Sequence, residues 1–401
     1  MNKKDREKII YLDHASSAPI DPSVFRGMKK YFLKNQANPG AIHSEGKKAR
    51  AAVEDSRKST ALSIGCHSDE VLFTSSGTES NNLAIQGISL EAGSGAHIVT
   101  TNIEHPSVIE VCKHLESRGV KVTYVPVEPS GIVDPEKVIK AIRKNTVLVS
   151  ITHASNEIGT IQPIGEIAKA IRRFKKIKSL GSRENNWPFF HTDATQAMNY
   201  LETNVKRLGA DLMTFNGSKI YGPKGIGVLY KKRGIKLKPL FFGGHQESGL
   251  RPGTENVPAI VGLSAALNAS LKVKEKEFRR LTGLRSWFIE ELKRKIPAVI
   301  INGDERKRLP NNVNISIPGI SSEILVLELD ARNIMVSTKS ACKSDDLEMS
   351  HVIKAIRPHE KGDEGGLRIS FGRGTRKEDL KTCLKALVEV VRKYQKWGFL
   401  K

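Results

Sequence analysis

Between residues 44 and 231, helical patterns take turns with short β-branched runs, and that alternation leaves few folds open. Ser44 can cap a helix that continues through Ala61 and stops near Gly65. Glu70–Thr74 then reads as a strand, followed by a helix from about Thr78. His97–Thr101 precedes Pro106–Glu116, where Val108, Ile109, Val111, Cys112 and Leu115 share one helical face. Thr146–Thr152 is a continuous apolar run, as a strand buried on both faces requires. Ile164–Lys178 is helical, and Pro188–Thr192, Asp211–Phe215 and Ile226–Tyr230 read as strands. Such alternation predicts an α/β fold, a mostly parallel sheet covered by helices.

After about residue 265 the texture changes. A charged amphipathic helix (Val273–Lys295) leads to short apolar runs at Val313–Ile317, Ile324–Leu329 and Leu367–Phe371, then a last helix over Lys377–Trp397. This predicts a smaller α+β domain.

The 401 residues are 39% hydrophobic, which separates this chain from disordered ones despite a net charge of +22. That charge raises the prospect of a polyanionic partner or of a generally basic surface. Met1–Ile10 is charged and leads straight into Tyr11-Leu12-Asp13-His14, without the apolar stretch of a secretory signal, and no run is long enough to span a bilayer. Cys66, Cys112, Cys342 and Cys383 are too scattered for a zinc site or a Cys-x-x-Cys pair. A cytoplasmic protein without a membrane anchor or bound metal is expected.

Ligands of parallel α/β sheets sit beyond the carboxyl ends of the strands. There the sequence offers Ser75-Ser76-Gly77-Thr78 opening a helix, then His153-Ala154-Ser155-Asn156-Glu157, Asp193-Ala194-Thr195-Gln196 and Asn216-Gly217-Ser218-Lys219. A helix start with free N–H groups suits a phosphate. An acid, an amide and a lysine at strand ends suit pyridoxal phosphate, which needs a Schiff-base lysine, a carboxylate at its ring nitrogen and a phosphate grip. Lys219 fits the lysine role better than Lys224, which sits in a Gly/Pro turn. Taken singly, a capped helix start, a turn aspartate and a solvated lysine explain the same residues.

The ordered set Tyr11–Ala15, Phe73–Asn82, Glu104-His105, Ser155–Gly159, Asp193–Gln196, Lys219–Gly225, Gly243–Glu247, Arg251–Thr254 and Ser340-Ala341-Cys342 resembles the cysteine desulfurases. These belong to the class V aminotransferase group of fold type I pyridoxal phosphate enzymes, and the likeness runs from residue 11 to about 390. The resemblance implies a large cofactor domain over 19–265 and a small domain built from 1–18 and 266–401. It implies that Lys219 carries the cofactor, Asp193 pairs with its ring nitrogen, and His105 stacks on the ring and moves protons. Gly77, Thr78, Asn216 and Ser218 would grip the phosphate, with Thr254 reaching it from the other subunit of a homodimer. Asn156 and Gln196 would hydrogen-bond the cofactor or substrate, and Arg368 with Asn38 would take the substrate carboxylate. Cys342 would receive sulfur from L-cysteine as a persulfide, leaving L-alanine. The segment Ser337–Met349 is similar to the longer-loop branch, which implies a sulfur-acceptor protein in iron–sulfur cluster assembly or tRNA thiolation.

The sequence departs from the family pattern at Ser218, commonly His, and at Asn216, usually Ser, so the phosphate grip is altered. Lys339 and Lys343 flank Cys342, where two ammonium groups would favour a thiolate. The stretch 175–187 is longer and more basic than usual. Two other readings stay open: a selenocysteine lyase or aminotransferase of the same fold, and a decayed RNA-binding or scaffold protein. With the cofactor residues all present, direct nucleic-acid binding is not expected.

Overall fold

The computed structural model describes residues 9–178, 187–338, 350–358 and 365–396. In chain order the elements are β1 (Ile10–Tyr11), α1 (Pro22–Leu33), α2 (Ser44–Ile64), β2 (Val71–Thr74), α3 (Gly77–Ala92), β3 (His97–Thr101), α4 (Pro106–Glu116), β4 (Lys121–Val125), α5 (Pro135–Ala141), β5 (Thr146–Ser150), α6 (Ile164–Lys178), β6 (Phe189–Asp193), α7 (Val205–Leu208), β7 (Leu212–Asn216) and β8 (Gly227–Lys231). Then follow α8 (Val257–Lys295), β9 (Ile300–Ile301), β10 (Asn312–Ser316), α9 (Ser322–Asp330), β11 (Ile334–Met335), α10 (His351–Ile356), β12 (Leu367–Ser370) and α11 (Lys377–Lys396).

Seven strands form one sheet in the order β2-β8-β7-β6-β5-β3-β4, in which β8 alone runs against its neighbours. The mostly parallel α/β fold expected from the sequence is therefore present. Alternate residues feed two cores, as the strand period demands. Val99, Val149 and Met213 pack on the side of α1, α2, α6 and the start of α8. Ile98, Leu148 and Leu212 face α3 and α4. Burial on both faces explains the apolar centre of Thr146–Ser150, all five residues of which are buried. Edge strand β4 was not visible in the sequence, because its Lys121 is exposed and only Val125 is buried.

Local signals set the element ends. Gly65 closes α2 at φ 73°, the left-handed region glycine enters without strain. The cap of α2 is His43, whose Nδ1 accepts from Gly46 N, and Ser44 is the first helical residue. The apolar run Ile324–Leu329 lies within helix α9, capped by Ser321.

A second sheet, β12-β10-β9, is antiparallel, and β1 pairs in parallel with β11. Its core joins Ile10 and Leu12 to Leu281, Phe288, Ile315 and Phe371. Helix α8 serves both regions: Val257–Leu267 packs under the large sheet and Leu281–Leu292 under the small one. Residue 265, the expected domain boundary, falls inside this continuous helix.

Candidate active site

The carboxyl ends of β2, β3, β5, β6 and β7 converge on one cavity of about 190 Å³. Chain order reverses between β3 and β5, which opens the crevice where such sheets bind ligands. Gly77, Thr78, His105, Asn156, Asp193, Gln196, Asn216, Lys219 and Arg368 all line it, together with Ser16, Ser107 and Thr152.

On the β2 side, Ser76 caps α3 by accepting from Glu79 N at 3.1 Å. A helix leaves its first N–H groups without internal partners, so those of Gly77 and Thr78 border the cavity. Gly77 is needed for closeness: a Cβ there would stand 3.0 Å from Asn216 Nδ2 and 3.4 Å from Thr195 Oγ1. Asn216 Oδ1 accepts from the Ser218 hydroxyl at 3.1 Å, which turns the amide nitrogen of Asn216 toward Gly77. This set of donors fits a phosphate.

Lys219 ends a single 3₁₀ turn after β7, and its Nζ donates to the Ser16 carbonyl. Lys224 is exposed. Asp193 closes β6, and its two carboxylate oxygens accept from Thr195 N at 2.9 Å and Asn81 Nδ2 at 2.8 Å. Gln196 Nε2 donates to the Ala15 carbonyl at 3.0 Å. A lysine, a buried carboxylate and a phosphate cradle within one cavity are the donor set pyridoxal phosphate requires.

His105 caps α4, with Nδ1 accepting from Ser107 N at 3.1 Å. It therefore both caps a helix and borders the cavity. Burial holds its pKa below the ordinary histidine value, so the ring is neutral near pH 7. The preceding Glu104 is wholly buried; its Oε1 accepts from Thr101 Oγ1 and Thr152 N, and burial raises its pKa to about 8.

Arg368, from β12 of the smaller sheet, is 1% exposed. Nη1 donates to the Asn156 carbonyl at 2.9 Å, and Nη2 to Asp13 Oδ1 at 2.9 Å and to Ser16 Oγ. Its buried Nε has no hydrogen-bond partner among the described residues. A guanidinium that borders a cavity suits a carboxylate ligand.

Three expected residues lie outside the lining: Ser218, whose hydroxyl reaches the cavity only through Asn216, and Asn38 and Thr254. Asn38 is exposed and closes its own turn by accepting from Gly40 N at 2.8 Å. Thr254 lines a neighbouring groove with Ser75, Arg251 and Gly253. Cys342, Lys339 and Lys343 lie outside the described residues, as does most of the basic stretch 175–187. Burial pushes the thiols of Cys66, Cys112 and Cys383 up to about 12, which leaves them unreactive.

Sequence reading passed over Asp13, Ser16, Asn81, Ser107 and Thr152. A signal existed for Asn81, which stands four residues after Gly77 and so on the same helical face. None existed for Asp13, whose partner is distant in sequence.

The family model described as aminotransferase class-V matches residues 10–383. A protein named cysteine desulfurase IscS, from Dictyoglomus turgidum, is 42% identical over 96% of this chain and 95% of its own length. A solved NifS-like protein superposes with a TM-score of 0.87 at 30% identity, covering 96% of this chain and all of its own. A structure described as SspA in complex with cysteine has a TM-score of 0.77 at 33% identity, over 90% of this chain and 98% of its own.

Proposed function

The chain belongs to the aminotransferase class-V family, and we propose that it is a pyridoxal-phosphate-dependent cysteine desulfurase that forms L-alanine from L-cysteine and holds the sulfur on Cys342. When bound, the cofactor supplies an electron sink for bonds at the substrate carbon. Lys219 would hold it covalently, the helix start at Gly77 and Thr78 with Asn216 would hold its phosphate, and Asp193 would pair with its ring nitrogen. Arg368, which borders the cavity, takes the substrate carboxylate. Neutral His105 can accept a proton at one step and return it at the next. The Cys342 thiolate attacks the substrate sulfur. An S–S bond forms as the C–S bond breaks, the electron pair goes to carbon, and a proton completes L-alanine.

The observation that carries this reading is the anchoring of the segment that contains Cys342. On one side Ser337 exchanges backbone hydrogen bonds with Arg368, at 2.7 and 3.2 Å. On the other, the Ser350 hydroxyl donates to Glu157, and His351 Nε2 meets the Glu104 carbonyl at 2.9 Å. Both attachments are on, or next to, residues that line the cavity.

Thr254 sits outside the cavity of its own chain, in a groove beside the start of α3, which supports a homodimer in which it completes the partner's phosphate grip. The strongly basic chain favours an acidic sulfur acceptor, which would use the persulfide for iron–sulfur clusters or tRNA thiolation. No helix among the described residues is long and apolar enough to cross a membrane.

Purified protein given L-cysteine and a thiol reductant tests the reading. Equal amounts of L-alanine and sulfide are expected, with loss of both the visible absorption band and the activity in Lys219→Ala. A colourless wild-type protein, or a keto acid in place of alanine, would contradict it.

A further inference from the structure

The site contains a hydrogen-bonded frame that the roles above leave unused. Asn81, on α3, is wholly buried. Both protons of its Nδ2 are engaged, one by Asp193 Oδ2 and one by Ser107 Oγ, each at 2.8 Å. Its Oδ1 has no partner among the described residues. The carboxylate settles which way this amide points, because a flipped Asn81 would set oxygen against oxygen.

The chain of donors continues to the histidine. Backbone N–H of Ser107 can only donate, so His105 Nδ1, 3.1 Å away, is the acceptor and carries no proton. Ser107 Oγ lies 2.8 Å from the same nitrogen, and having accepted from Asn81 it donates its own proton there. The neutral ring therefore bears its proton on Nε2.

We propose that Asn81 and Ser107 are positioning residues, which fasten His105 and Asp193 to one frame: the Ser107 hydroxyl, oriented by Asn81, joins the Ser107 backbone N–H in holding His105 Nδ1 as an unprotonated acceptor, with the ring proton on Nε2. The proposal rests on the reading of His105 as the proton-moving group of the site, and it adds the device that orients that group. Geometry gives the frame a purpose. Asp193 ends β6 and His105 follows β3, so the two side chains reach the cavity from different strands with β5 between them. Without a tie, small shifts of α4 against the sheet would move His105 relative to Asp193. Asn81, on the helix that also presents Gly77 and Thr78, locks the acid, the imidazole and the phosphate cradle together.

The charged and titratable groups facing His105 are Asp193, Lys219, Glu157 and His351. Asp193 and Glu157 favour the protonated ring, whereas burial, Lys219 and His351 oppose it. Donation from the Ser107 hydroxyl to the Nδ1 lone pair adds to the second group, because only the unprotonated nitrogen can accept it.

Holoenzyme labelled with ¹⁵N-histidine, in which the His105 signals are identified by their loss in His105→Gln, tests this directly. Wild type should show one neutral tautomer protonated at Nε2. Ser107→Ala, whose backbone N–H still donates to Nδ1, should keep that tautomer but titrate at higher pH, and Ser107→Thr, which restores a hydroxyl, should return to wild type. Asn81→Ala should resemble Ser107→Ala, since the hydroxyl then loses the donor that orients it. Alanine formation should fall about fivefold in Ser107→Ala, the effect of one hydrogen bond, with cofactor retention unchanged. A wild-type ring protonated at Nδ1, or a Ser107→Ala protein with the wild-type titration, would overturn the proposal. The tautomer result is independent of turnover: a wild-type protein forming no alanine would defeat the desulfurase reading while leaving the frame as described.

Discussion

Arg368 Nη2 and Asp13 Oδ1 meet at 2.9 Å across 355 positions of sequence, so an N-terminal residue holds the arginine of a C-terminal strand at the cavity wall. The pair fixes the guanidinium plane while leaving Nε–H unmatched.

Removing either member should give a distinct result. Arg368→Lys keeps the charge but loses the planar fork, so KM for L-cysteine should rise about 100-fold, as for a broken buried ionic contact. Asp13→Ala leaves a buried cation without its anion and should cost about 3 kcal/mol of stability in urea unfolding. An unchanged KM in Arg368→Lys would remove the arginine from substrate binding.

Glu247 presents a second such anchor. It sits at φ 46°, a left-handed conformation uncommon for a residue with a side chain, and its carboxylate accepts from Arg57 at 2.6 and 2.7 Å and from Phe73 N at 2.8 Å. These bonds tie the segment leading to Thr254 onto β2. Glu247→Ala should lose about 3 kcal/mol of stability, since Arg57 is left without its buried partner. It should also release the cofactor faster, as measured by loss of visible absorbance on dilution, if Thr254 serves the partner's phosphate grip.

Glu104 gives a pH signature. Its pKa of about 8 in the folded chain lies above the ordinary carboxyl value of 4.5. Between those pH values the folded state holds a proton that the unfolded state has released, so stability falls as pH rises toward 8. Buried His153 and His191, with pKa values of about 4, act in the opposite direction, and only below about 6.5. From pH 6.5 to 8 wild type should therefore lose about 2 kcal/mol relative to Glu104→Gln. Parallel stability curves for the two proteins across that window would show that Glu104 does not titrate there.

How far the sequence discloses this arrangement depends on the distance over which its causes act. Strands and helices follow from periodicity and caps within a few residues, so β3, α4 and α6 have the bounds their patterns predict. Residues at strand ends were also legible, because topology alone carries Asn156, Asp193 and Lys219 to one edge, whereas His105 was named only through the family resemblance. Asp13 and Ser107 were not legible as site residues, and Asn81 was signalled only by its place four residues after Gly77. Their roles depend on partners 26 to 355 positions away, which local patterns do not encode. Asn38 shows the converse: the family motif places it at the substrate, whereas in this chain its side chain closes the turn to Gly40. The strand β4 was hidden by its own exposed edge, where polar residues mask the alternation.

Whether Cys342 takes the sulfur is decided by alanine formation in Cys342→Ala. With L-cysteine the variant should form no alanine and carry no persulfide by mass spectrometry of the intact protein, whereas with L-selenocysteine, which can be cleaved without a protein thiol, alanine should still appear. Undiminished alanine formation from L-cysteine by Cys342→Ala would contradict the account.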